Sequence, residues 1–183
     1  MCCFGYLAGY RLVHDVMADE AFRRFVLAYM EEATPTLRPV PGIDLDAYRR
    51  TLIERFGNRA VRDTVARLCA ETSDRIPKFL LPVVRENLAA GRSVRLSAAI
   101  VASWARYAEG GDEAGEAIEV VDRLASQLTA AASRNHEDAL AFVRDPDVFG
   151  DLAESTAFTE AYVGALESLH TVGAAATVRG LAE

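Results

Sequence analysis

Residues 73–82 read Ser73-Asp74-Arg75-Ile76-Pro77-Lys78-Phe79-Leu80-Leu81-Pro82. Lys78 is the only lysine in the chain; every other fixed cation is an arginine. Proline suits the first turn of a helix and breaks an interior one. The two prolines therefore predict a short turn, then a helix from about Pro82 to Ala89. Pro77 restricts the local backbone, which suits side chains that must be aimed. Arg75 and Lys78, three apart at a helix entry, can point the same way. Together they offer donors suited to a polyhydroxylated or anionic ligand. The plainer alternative pairs Arg75 with Asp74 or Glu71 and leaves Lys78 on the surface.

Helical patterning continues on both sides. Asp19 is a candidate cap for a helix through about Glu32, with Phe22, Phe25, Val26 and Tyr29 on one face. Pro35 ends it. Asp44 caps the next, with Leu45, Tyr48, Leu52 and Ile53 inward and Gly57-Asn58 as the stop. Val61, Val65, Leu68 and Cys69 mark a third stripe, to about Ala70. Ser93 opens a helix to about Glu109 that is apolar nearly all round, as a central buried helix would be. Helices are predicted over about 114–132 and 136–144. A last one starts near Thr156 and is interrupted or bent near Gly173. No run of period two bounded by turn residues stands out. The expected architecture is all-α, a multi-helix orthogonal array forming one domain over residues 1–183.

Composition narrows the function classes. Hydrophobic residues make up 51% and charged residues 26% of 183, ordinary globular usage. The net charge of −7 and pI of about 5.1 oppose a nucleic-acid role, which needs a clustered basic face. They do not favour an anionic membrane surface, and no apolar run approaches the roughly 20 residues of a bilayer span. The N-terminal stretch lacks a basic region before Arg11, so no signal peptide is expected. Cys2, Cys3 and Cys69 form no metal-ligand spacing, and their odd number argues against a disulfide framework. A reducing cytoplasm is the expected setting.

Few residues propose chemistry on their own. Gly110-Gly111-Asp112-Glu113-Ala114-Gly115 imitates a nucleotide loop, but it follows a helix and its spacing is wrong. It reads as an interhelical loop. His14-Asp15 beside Asp19-Glu20 lacks a second close histidine and reads as a polar cluster at a helix end. His136 reads as solvated, and His170 as structural or exposed. No metal site and no triad follow from spacing.

Five stretches, in order, carry a resemblance. They are Phe4-Gly5-Tyr6-Leu7-Ala8-Gly9-Tyr10, Tyr48–Asn58 (Tyr-Arg-Arg-Thr-Leu-Ile-Glu-Arg-Phe-Gly-Asn) and Ser73–Pro82. Phe149-Gly150-Asp151-Leu152 and Leu166-Glu167-Ser168-Leu169-His170 follow. Read together, the chain resembles the C-terminal domain of the mannitol dehydrogenase family, the long-chain polyol-specific dehydrogenases. The resemblance implies a metal-independent, NAD-dependent oxidoreductase that interconverts a polyol or sugar acid with its keto form. An N-terminal Rossmann domain would hold the nucleotide, and the helical domain would close the substrate cleft.

The family's catalytic signature has the form Lys-x-x-x-x-Asn-x-x-His and falls just before the Gly-Tyr-Leu-Ala-Gly-Tyr stretch. These 183 residues do not contain it, because five residues after Lys78 stands Val83. The expectation is a substrate-side domain that is incomplete alone, lacking general base, alkoxide donor and Rossmann half. No catalytic, cofactor or metal residue is assigned; Arg75 and Lys78 are the expected contacts to a polyol or hexuronate. Other partners are a Rossmann domain or a second copy through an exposed interface, with no nucleic acid and no membrane. The alternative is a non-enzymatic helical interaction module. A detached helical ligand sensor is a more distant reading.

Overall fold

The computed structural model describes residues 1–39 and 41–183. Its elements, in chain order, begin with three helices: α1 (Cys2–Leu7), α2 (Val13–Ala18) and α3 (Glu20–Ala33). Next come α4 (Leu45–Phe56), α5 (Val65–Cys69) and α6 (Thr72–Arg75). A π-helical turn (Ile76–Leu80) leads without a break into α7 (Leu81–Ala89), and α8 (Arg95–Ala108) follows. The remainder is α9 (Ala125–Ala132), α10 (Pro146–Phe149), α11 (Thr156–Val172) and α12 (Ala174–Leu181). Among the described residues there is no strand, only the isolated bridges Leu12↔Thr64 and Gly111↔Ala117. The all-α expectation holds.

Several helix ends obey local chemistry. The Asp19 carboxylate accepts from the N–H groups of Ala21 (2.8 Å) and Phe22 (3.4 Å). Asp44 does the same for Asp46 (2.9 Å) and Ala47 (3.1 Å). Each satisfies N–H groups that a first helical turn leaves without partners. Gly173, at φ +82° and ψ 171°, separates α11 from α12 in a conformation that side chains resist.

The core surrounds α8, whose Leu96, Ala98, Val101, Trp104, Ala105 and Ala108 are buried. The long α11 packs along it. Trp104 meets the Phe142 ring edge to face at 5.0 Å, and Phe4 meets Phe25 at 5.3 Å. Such aromatic pairs add about 1 kcal/mol each beyond the area they bury.

Three expectations are corrected. Tyr48 (54% exposed) and Val61 (51%) do not face the core, and no residue of α4 is fully buried. The helix expected from Ala114 starts only at Ala125. Asp112 captures the N–H groups of Ala114 and Glu116, both at 2.9 Å, and Gly115 takes φ +81°, so the backbone turns instead of winding. The stretch 136–144 forms successive turns, with Ala141 N–H bonded to the Asp138 carbonyl at 2.9 Å and Val143 N–H to the Leu140 carbonyl at 3.1 Å.

Candidate functional site

The Arg75–Lys78 segment is fixed at its start by backbone strain. Glu71 adopts φ +52°, a left-handed conformation that costs a non-glycine residue roughly 1–2 kcal/mol. Its N–H donates to the Val121 carbonyl (2.9 Å), and its carboxylate accepts from the N–H of Arg123 (3.1 Å). Two residues on, Ser73 donates to the Asp122 carboxylate from its backbone N–H (2.9 Å) and its hydroxyl (2.5 Å). These bonds aim α6 into the π-helical turn. Pro77 has no N–H to return to the carbonyl four residues back, and the widened turn absorbs that loss without ending the helix.

An apolar hollow of about 320 Å³ opens beside this segment. Cys2, Phe25, Tyr29, Phe56 and Trp104 line it, and Arg75 stands among them as its one arginine. The Arg75 guanidinium donates to the Leu68 carbonyl at 2.9 Å and remains solvent-exposed. Phe79, 72% exposed, lines the same hollow.

Lys78 faces elsewhere. It lines a separate polar recess of about 270 Å³ with Asp74, Arg123, Gln127 and Asp147. Arg123 pairs with Asp74 at 2.9 Å and holds that carboxyl below its ordinary range. The expected common aim of Arg75 and Lys78 is therefore not what the structure places. Positions three apart share a face of an α-helix, but the wider π turn spreads them apart.

Cys2 and Cys3 line the hollow, and Cys69 is buried in the core. All three are free thiols, Cys3 and Cys69 buried and Cys2 partly so. The Cys3 thiol beside it, together with burial, pushes the Cys69 thiol up. Burial likewise pushes Cys2 up. The N-terminal amine and Arg75 act on Cys2 in the opposite sense, but burial outweighs them.

The histidines divide. His14 lies in α2 with Nε2 3.5 Å from the Asp15 carboxylate, and its Nδ1 has no hydrogen-bond partner among the described residues. His136 and His170, read separately in the sequence, come together with ring centroids 4.5 Å apart. Glu109 joins them, and the three ligand atoms lie within 4.8 Å of one another. Separations of 27 and 34 residues gave no spacing signal for this cluster. The glycine-rich loop after α8 closes on its own Asp112, which also pairs with Arg11 at 3.2 Å.

The fold and the hollow define an all-α domain whose recess is bordered by one half of a Arg-x-x-Lys pair. The chain belongs to the mannitol dehydrogenase C-terminal domain family, matched over residues 1–170. It is 36% identical over 176 residues to the mannitol 2-dehydrogenase of Phaeosphaeria nodorum, covering 95% of this chain and 30% of that protein. It is 34% identical over 178 residues to mannitol dehydrogenase 2 of Saccharomyces cerevisiae, covering 96% and 36%. The Pseudomonas fluorescens mannitol 2-dehydrogenase, solved as a ternary complex with NAD and D-mannitol, superposes with a TM-score of 0.94. That match has 35% identity and covers 98% of this chain and 37% of the other. The chain thus spans about a third of the length of these relatives. No helix among the described residues is long and apolar enough to cross a membrane.

Proposed function

We propose that this chain is the substrate-side domain of an NAD-dependent polyol dehydrogenase that oxidises a mannitol-type sugar alcohol, or a sugar acid, to its keto form. The observation that carries the reading is its superposition on a relative holding both NAD and D-mannitol. The Rossmann-type nucleotide domain and the Lys-x-x-x-x-Asn-x-x-His signature would come from sequence outside these 183 residues. The chain would not turn over alone.

Arg75, on the apolar hollow, is proposed to donate to a substrate hydroxyl or carboxylate, giving up little to do so because its present partner is a single carbonyl. Lys78 is proposed as the second polar contact, reaching substrate from the other side of the π turn. The free cysteines fit a cytoplasmic setting.

The test joins residues 1–183 to the N-terminal part of the Pseudomonas fluorescens enzyme and follows NAD reduction with D-mannitol and a hexuronate. Turnover by the fusion, and none by the isolated chain, is the expected result. A folded fusion inactive on every polyol and sugar acid, or a turning-over isolated chain, would overturn the reading.

A further inference from the structure

We propose that Glu109, His136 and His170 form a binding site for a borderline divalent metal ion, zinc above all, which would fasten the end of the central helix α8 to the end of α11. The inference is independent of the polyol reading. It uses residues that reading leaves idle.

The three groups come from separate segments. Glu109 caps the C-terminus of α8, His170 lies in the last turn of α11, and His136 sits on the turns between α9 and α10. Two imidazoles and a carboxylate make a ligand set that zinc takes at about 2.0–2.2 Å, with a fourth position left to water. Imidazole nitrogen selects zinc, nickel, cobalt or copper over calcium or magnesium, which want oxygen. Ligand atoms on a tetrahedral ion lie about 3.4 Å apart by that geometry. They are already within 4.8 Å here. His170 Nε2 is 2.9 Å from Glu109 Oε1 and 3.1 Å from Oε2. A metal ion would replace the proton now shared there, and the nitrogen and oxygen would separate by only about half an ångström. His136 is exposed on its turn and stacks on His170 with planes 31° apart. Rotation of its ring would bring a nitrogen onto the ion.

The outer partners are those a metal carboxylate needs. Asn135 Nδ2 donates to Glu109 Oε1 at 2.8 Å, and Arg106 Nη1 lies 3.3 Å from Oε2. Groups of this kind orient a ligand and tune its basicity. A carboxylate has about four acceptor positions; Asn135 and Arg106 take two, and the ion would use what His170 now occupies. Asn135 is 4% exposed, and its carbonyl oxygen has no hydrogen-bond partner among the described residues. An ion-bound water would supply one.

The experiment titrates the full chain with Zn²⁺ by calorimetry and by melting temperature, and with Co²⁺ by absorption, without substrate or cofactor. Expected are one ion per chain, a raised melting temperature, and Co²⁺ bands in the visible with no sulfur-to-metal charge transfer. His136→Gln, on an exposed turn, and His170→Gln, which can keep its bond to Glu109, should each weaken binding by about 10-fold or more. Circular dichroism confirms that both variants fold. No binding, binding unchanged in both variants, or a sulfur charge-transfer band placing the ion on the cysteines would each overturn the site.

Discussion

The Glu32 carboxylate, in the last turn of α3, accepts from the backbone N–H groups of Leu96 (2.9 Å) and Ser97 (2.8 Å) and from the Ser97 hydroxyl (2.6 Å). One helix thereby caps the start of another from 65 residues away, on the core element that carries Trp104 and Glu109. Ser93, the local candidate, contributes a single bond to Arg95 N–H at 3.2 Å. Glu32→Ala strands two N–H groups at the entry of a buried helix and should cost about 2 kcal/mol. Chemical denaturation followed by circular dichroism measures it. Ser93→Ala should cost less, and the reverse ranking would show the local cap to dominate.

Gly173→Ala should destabilise by roughly 1–3 kcal/mol, the usual range for side chains forced into glycine-only backbone conformations. A methyl group there would also come within 2.9 Å of the Glu113 carboxylate, which accepts from the N–H of Ala174. The melting temperature of the variant reads both effects. Gly164→Ala, with open space around it and an α-helical backbone, serves as the control and should be neutral or slightly stabilising.

Acid stability should depend on Asp112. The N–H of Glu116 holds its carboxyl below the ordinary carboxylate range, aided by the N–H of Ala114 and by Arg11. The folded state therefore binds the proton less readily than the unfolded chain. Its contribution is complete above the unfolded value near 4 and is lost as pH falls through the lower folded value. Asp112→Asn should lower stability at neutral pH and flatten the acid limb of the stability profile. An unchanged acid limb would remove Asp112 from the account.

Thiol reactivity should follow burial. A charged disulfide reagent should leave Cys3 and Cys69 unmodified in the folded chain and reach all three cysteines in denaturant. Cys2, partly exposed but with its thiol pushed up by burial, should react slowly at neutral pH and faster as pH rises. Rapid labelling of Cys69 in the folded chain would contradict its burial.

In the fusion enzyme, Arg75→Ala should raise KM for polyol about 10-fold or more, the scale of one lost charged hydrogen bond. Lys78→Ala should have the smaller effect, because its recess is separate from the hollow. Equal losses would show that substrate bridges both sides of the turn.

Legibility in the sequence tracked how local the deciding interaction is. Asp19, Asp44 and Gly173 act within a few residues, and the helices they bound were readable. The break between 114 and 124 was also local, but alanine and glutamate suggested helix where the Asp112 side chain won the same N–H groups. The Glu32 cap and the Glu109, His136 and His170 cluster depend on packing across the chain, and no spacing rule reports them. Arg75 and Lys78 were singled out by residue type. Their divergence could not be read, because a π turn differs from an α turn in the bonds of its backbone, not in the residues that spell it.

That π turn carries a consequence for how the segment can change. It holds one residue more than an ordinary turn and so sets the register between α6 and α7. The start of α6 is tied to residues 121–123 through Glu71 and Ser73, and Pro77 resists a regular winding. A one-codon deletion of Phe79 or Leu80 would therefore set the two helices out of step with their anchors, and the domain should lose stability instead of absorbing the change.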